Sequence, residues 1–122
     1  MSTISLSLKE IEDLATRVFV ENGCDTANTE ALVRTVVTAE RDGSLSHGLF
    51  RVPGYVASLR SGKVNGKANP KVGYKTPAIV TVHGDNGYAP LAIERGVPIL
   101  AEAAKQLGVA VMATTHTHHF AA

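Results

Sequence analysis

The chain has 122 residues, 44% of them apolar and 19% charged, with a formal net charge of +1. That length suits one domain with one hydrophobic core, and so small a charge recruits neither nucleic acid nor an anionic membrane. A single cysteine, Cys24, excludes an internal disulfide and fits a reducing compartment, and no run nears the roughly 18 apolar residues that span a bilayer.

The start, MSTISLSLKEIEDL, is polar and lacks the apolar centre of a signal peptide, so a cytoplasmic protein is expected. Ser7-Leu-Lys-Glu10 is a capping-box pattern, in which the serine side chain satisfies a free backbone N–H. Ile11, Leu14, Ala15, Val18 and Phe19 follow with helical spacing, and Gly23 is a plausible left-handed stop. A second helix is expected from about Thr26 to Arg41, burying Ala27, Ala31 and positions among Val33, Val36 and Val37, with Gly43 ending it. A third is expected from about His47 to Ser61, stopping near Gly62. Pro53 lies early in it and either bends the chain or means that regular turns start only near Val52.

Residues 62–77 read as a loop or hairpin region with a short strand around Val72 to Lys75. Ala78 to Val82 is a β-branched run and reads as a strand. Gly84-Asp-Asn-Gly87 signals a turn. Tyr88 to Leu107 reads as helix, with Pro98 kinking it or opening its second half and Gly108 stopping it. Val109 to Thr115 reads as the next strand. The fold class is therefore α/β (α+β): a helical segment over residues 1–61, then strand, helix and strand over residues 62–122. Ala121-Ala122 follows a strand and a histidine cluster with no closing element, so the chain reads as a fragment or truncated product of something larger.

The most informative stretch is Asp42 to Arg51, DGSLSHGLFR. His47 stands four residues ahead of Arg51, and Tyr55 four further on. On one helix these positions share a face. A proton donor or acceptor, a carboxylate clamp and a hydroxyl suit a small substrate with a carboxylate beside a reducible C=O or C=N. On spacing alone a solvated helix start with an ordinary His and Arg is the commoner reading, since an HxxxR match arises often by chance. His116-Thr-His-His119 invites a metal, but no partner cysteine or carboxylate lies nearby and no metal is assigned. His83 reads as a surface residue. Asp85-Asn86-Gly87 reads as a turn rather than a phosphate loop, and no GxGxxG follows a strand, so a Rossmann cofactor site is not supported.

DGSLSHGLFRVPGYVASLRSGKVN, followed by PAIVTVHGDNGY, AKQLGVAVMATT and HHFAA, resembles in order and spacing the amino-terminal part of the type-2 malate/L-lactate dehydrogenase family. These are NAD(P)-dependent oxidoreductases unrelated to the Rossmann-type lactate dehydrogenases. The resemblance runs from about Leu8 to Ala122, and DGxxSHGxxRxxxY is its strongest motif. The ending His119-Phe120-Ala121-Ala122 is similar to the ketimine reductase branch, which reduces piperideine-2-carboxylate and pyrroline-2-carboxylate with NADPH. Other members more often carry a glycine after His-Phe.

The resemblance implies that residues 62–122 begin the mixed α/β catalytic domain of a larger fold. It implies His47 as the proton donor, oriented by Ser46, and Arg51 as the ligand of the substrate carboxylate. Tyr55 is either a pocket residue or a partly buried helix aromatic. His119, Phe120, Ala121 and Ala122 are implied as cofactor contacts, with NADPH as the cofactor and NADH the alternative. In other branches the histidine matching His119 is itself the acid/base. No role is given to His116 or His118. A relay aspartate and most of the nucleotide site are expected beyond residue 122, so the chain alone is expected to be inactive. A small carboxylate substrate and a homodimer are implied. Malate, lactate, sulfolactate and ureidoglycolate dehydrogenation are the alternatives within the family. The rival outside it is a non-catalytic remnant whose SHGLFR segment caps a helix and meets a dimer partner.

Overall fold

The computed structural model describes residues 2–118. Its first helix, α1 (Leu8–Glu21), opens on a complete capping box. The Glu10 amide donates to Ser7 Oγ and the Ser7 amide to Glu10 Oε1, each at 3.1 Å. Ile11, Ala15 and Phe19 form its buried stripe, while Leu14 remains exposed. Gly23, at φ 98°, turns the chain out of the helix in a conformation that a Cβ would penalise.

Helix α2 (Thr26–Arg41) is capped by Asp25, whose carboxylate accepts from the Asn28 amide at 2.9 Å. Its inner face differs from the sequence expectation at one position. Ala27 is only half-buried, and the neighbouring Asn28 is inside instead. Asn28 can be buried because its Nδ2 donates to Asp25 Oδ1 and to the Ala68 carbonyl, both at 2.9 Å, which removes the penalty for an unpaired amide.

No single helix runs from His47 to Ser61. Two short 3-10 turns, Leu45–His47 and Leu49–Arg51, are separated by Gly48, whose φ of −95° and ψ of −131° interrupt the spiral. Helix α3 (Val52–Arg60) begins only afterwards, with Pro53 in its first turn, where the missing N–H has no partner to lose. The late start near Val52 is therefore the correct reading of that proline. Val52 and Tyr55 of α3 pack into one core with Phe19, Val36, Val64 and Tyr88. Segments on both sides of residue 61 contribute to it.

Strand β1 (Lys71–Thr76) pairs antiparallel with β2 (Ile79–Tyr88). Helix α4 (Ala89–Leu107) then crosses over, and β3 (Val111–His118) returns parallel to β2, giving the order β1-β2-β3. A helical crossover is the usual connection between parallel neighbours. α4 continues through Pro98 as one helix. None of the helices among the described residues is long and apolar enough to cross a membrane.

Two strands outrun the expectation. β2 does not turn back at residues 84–87. Asp85 and Asn86 do adopt left-handed φ values of 54° and 58°, which short polar side chains tolerate. Yet the register passes from His83↔Thr115 to Gly87↔Thr117, so Gly84, Asp85 and Asn86 bulge out opposite His116 and the strand resumes. The bulge is held from the other side. Asp85 Oδ2 accepts from the Asn69 amide at 3.0 Å, and the Asn86 carbonyl accepts from the Asn65 amide at 2.8 Å. β3 in turn runs past Thr115 to His118.

α4 lies close on the sheet at Gly96. A Cβ there would stand 2.7 Å from Val82 Cγ2 and would also strike the Met112 sulfur. The methionine can swing aside; Val82, fully buried, cannot. Gly96→Ala gains about 1 kcal/mol of helix propensity. We expect it nevertheless to destabilise by roughly 1–3 kcal/mol through overpacking in urea denaturation, and a net stabilisation would show that the helix can lift off the sheet.

Candidate active site

Ser46 is the hinge of the site. Its Oγ lies 3.0 Å from His47 Nδ1, and its carbonyl accepts from Arg51 Nε at 2.9 Å. Imidazole and guanidinium are thus brought together by the two 3-10 turns, not by the helix face expected from the spacing. The Arg51 side chain folds back over the turn to reach Ser46. Its Nε is committed there, and its terminal nitrogens carry the remaining N–H donors. His47 is half-buried, while Ser46 and Arg51 are exposed.

Tyr55, unlike them, belongs to the core. It is buried, with its ring edge-on to Tyr88 at 5.5 Å between centroids. Burial raises its phenol above the ordinary range, and the Arg51 charge pulls it partly back. Tyr88 stands at the N-cap of α4. It is 1% exposed, and its phenol donates to the Tyr55 carbonyl at 2.5 Å. Burial drives the Tyr88 phenol strongly upward, so it stays protonated and acts as a donor.

The far end of β3 reaches the same helix. His118 Nε2 stands 3.5 Å from Ser58 Oγ, and its ring meets Tyr88 edge-on at 5.5 Å. Ser58 lies about two turns beyond Arg51, roughly 10 Å along the helix axis. No sequence signal linked Ser58 to His118, because the two are 60 residues apart. His119, Phe120, Ala121 and Ala122, the implied cofactor contacts, lie outside the described residues.

His116, at φ 53°, stacks its ring on His83 with centroids 4.2 Å apart. Among the described residues no group of three or more His, Cys, Asp or Glu side chains is placed to hold a metal ion. Cys24 is buried, and its thiol is pushed up to about 11 by desolvation first and by the Asp25 charge second. It is therefore a thiol at neutral pH and a poor nucleophile.

Similar proteins match nearly the whole chain. The Delta(1)-pyrroline-2-carboxylate reductase of Ancylobacter novellus is 43% identical over 119 residues, covering 98% of this chain and 35% of that protein. The crystal structure of delta1-piperideine-2-carboxylate reductase from Pseudomonas syringae superposes with a TM-score of 0.93 at 42% identity, covering 98% of this chain and 36% of that one. Sulfolactate dehydrogenase from Methanocaldococcus jannaschii superposes with a TM-score of 0.86 at 27% identity, covering 96% and 34%. The chain thus spans about a third of the length of these relatives. Residues 6–122 match the model of the malate/L-lactate dehydrogenase family, and the chain belongs to that family.

Proposed function

We propose that this chain carries the proton-donating and carboxylate-binding part of an NAD(P)H-dependent reductase of small cyclic 2-imino carboxylates, such as Delta(1)-pyrroline-2-carboxylate or Delta(1)-piperideine-2-carboxylate. The observation that carries the reading is Ser46, which holds His47 through its hydroxyl and Arg51 through its carbonyl. Reducing a C=N bond puts a hydride on carbon and a proton on nitrogen. A reduced nicotinamide nucleotide, NADPH before NADH, supplies the hydride. His47 supplies the proton: with Nδ1 facing Ser46 Oγ, Nε2 is the nitrogen that meets the substrate. Arg51 presents its two terminal nitrogens to the neighbouring carboxylate, a planar fork matched to two oxygens. Tyr55 supports α3 from within the core.

β2 enters α4 through Tyr88-Ala89-Pro90, with no glycine between and with Tyr88 buried. We assign the nucleotide contacts to His119, Phe120, Ala121 and Ala122. The imine substrates come before the 2-hydroxy acids because the relatives at 42 and 43% identity are named as imino-carboxylate reductases, whereas the sulfolactate enzyme stands at 27%.

A chimaera in which residues 1–122 replace the matching segment of the Pseudomonas syringae reductase tests this reading. Arg51→Lys leaves the charge but removes the fork. We expect a loss of about 1–3 kcal/mol in kcat/KM for Delta(1)-pyrroline-2-carboxylate, expressed mainly in KM. An unchanged kcat/KM removes Arg51 from the site and the carboxylate-binding role with it.

A further inference from the structure

We propose that Glu40, on α2, is a positioning residue for His47. The inference rests on the reading of His47 as proton donor. Glu40 lies in the last turn of α2 and is half-buried. Its Oε1 accepts from the Leu49 amide at 2.7 Å, nine residues further along the chain. The same peptide unit, through the Gly48 carbonyl, accepts from the Arg51 amide at 3.0 Å. The Gly48–Leu49 peptide group lies on the chain between the proton donor and the carboxylate clamp, and Glu40 grips its N–H.

The fit extends to the residue type at position 48. A Cβ on Gly48 would stand 2.7 Å from Glu40 Cδ and 2.8 Å from Cγ, and closer still to Oε1. The carboxylate lies against the bare Cα, and any larger residue displaces it. On the other side of His47 the backbone is tied as well. The His47 amide donates to the Ser44 carbonyl at 2.9 Å, and the Ser44 amide to the Ala39 carbonyl at 2.8 Å. His47 is thus suspended between two anchored peptides, one tied to the end of the α2 backbone and the other to the α2 side chain Glu40. An ionised acceptor makes the stronger bond to a backbone N–H. It also suits a segment of two broken 3-10 turns, which has little regular hydrogen bonding of its own.

The test uses the same chimaera, with Glu40→Ala, Glu40→Gln and the pair Glu40→Ala/His47→Ala. Glu40→Ala is expected to lower kcat about tenfold or more, with KM for NADPH within about twofold of the parent. Glu40→Gln keeps an acceptor oxygen and is expected to stay within about threefold of the parent kcat. In the His47→Ala background, Glu40→Ala is expected to change kcat by less than about twofold, since its effect passes through that imidazole. Hydrogen exchange of the peptide covering residues 45–51, read by mass spectrometry, is expected to accelerate about tenfold in Glu40→Ala with α1 and α2 unchanged. Multiplicative effects of Glu40→Ala and His47→Ala overturn the proposal, and so does unchanged exchange over residues 45–51. If His47→Ala leaves kcat intact, the role of His47 falls. The exchange measurement then decides alone whether Glu40 holds the loop.

Discussion

In the chimaera, His47→Ala is expected to lower kcat for Delta(1)-pyrroline-2-carboxylate by roughly 10²- to 10⁴-fold, the scale of a lost general acid. The limb of the pH–rate profile that requires a protonated imidazole should vanish with it. The warrant is positional. Ser46 holds one ring nitrogen at 3.0 Å and the Arg51 guanidinium at 2.9 Å, so on the proposed reading one short turn presents both groups to the same substrate. His119→Ala, by contrast, should act mainly on NADPH affinity, with a smaller effect on kcat at saturation. The reverse pattern, with His119→Ala abolishing kcat and His47→Ala sparing it, transfers the acid/base role to His119. It also moves the reading toward the 2-hydroxy acid dehydrogenases.

The second large effect is on stability. Phe19 is fully buried, at 0% exposure, where α1 meets α2 and α3. Phe19→Ala removes its transfer energy and leaves a cavity that the surrounding helices only partly fill, for an expected loss of about 3–5 kcal/mol. Against a total stability of roughly 5–15 kcal/mol for an ordinary domain, that loss is a large fraction of the whole. Leu14→Ala on the same helix is the control, because Leu14 is 37% exposed; it should cost less than about 1 kcal/mol. Urea denaturation of the two variants side by side measures the difference. Equal midpoints contradict the assignment of Phe19 to the core.

Local rules recovered the elements whose signals are local. The Ser7–Glu10 box and the stop at Gly23 depend on neighbours within a few residues, and each forms. The left-handed pair Asp85 and Asn86 was legible as a conformation but not as a topology. Whether such a pair reverses the chain or merely bulges depends on pairing with β3 some thirty positions later, and on amides from residues 65 and 69. The site shows the same division. SHGLFR marked Ser46, His47 and Arg51, and the structure brings the three together. The helical face supposed to align them does not exist, because Gly48 breaks the spiral. Glycine at that position answers a side chain on another helix, and nothing in the local pattern declares it. Ser58 and His118 were out of reach for the same reason, since only the tertiary fold brings them together.

The β2–α4–β3 crossover has a consequence for the order of assembly. Closing a loop becomes entropically dearer by about 0.6 kcal/mol for each doubling of its length. The hairpin from Thr76 to Ile79 closes almost at once, whereas Ile79 must wait for Val111, and Ser58 for His118 across 60 residues. The turn carrying Ser46, His47 and Arg51 draws on partners in α2 and within itself, so it can be complete while β3 is still unpaired. During synthesis from the amino terminus, the Ser46–His47–Arg51 turn is therefore built before β3, which docks onto a helix already in place.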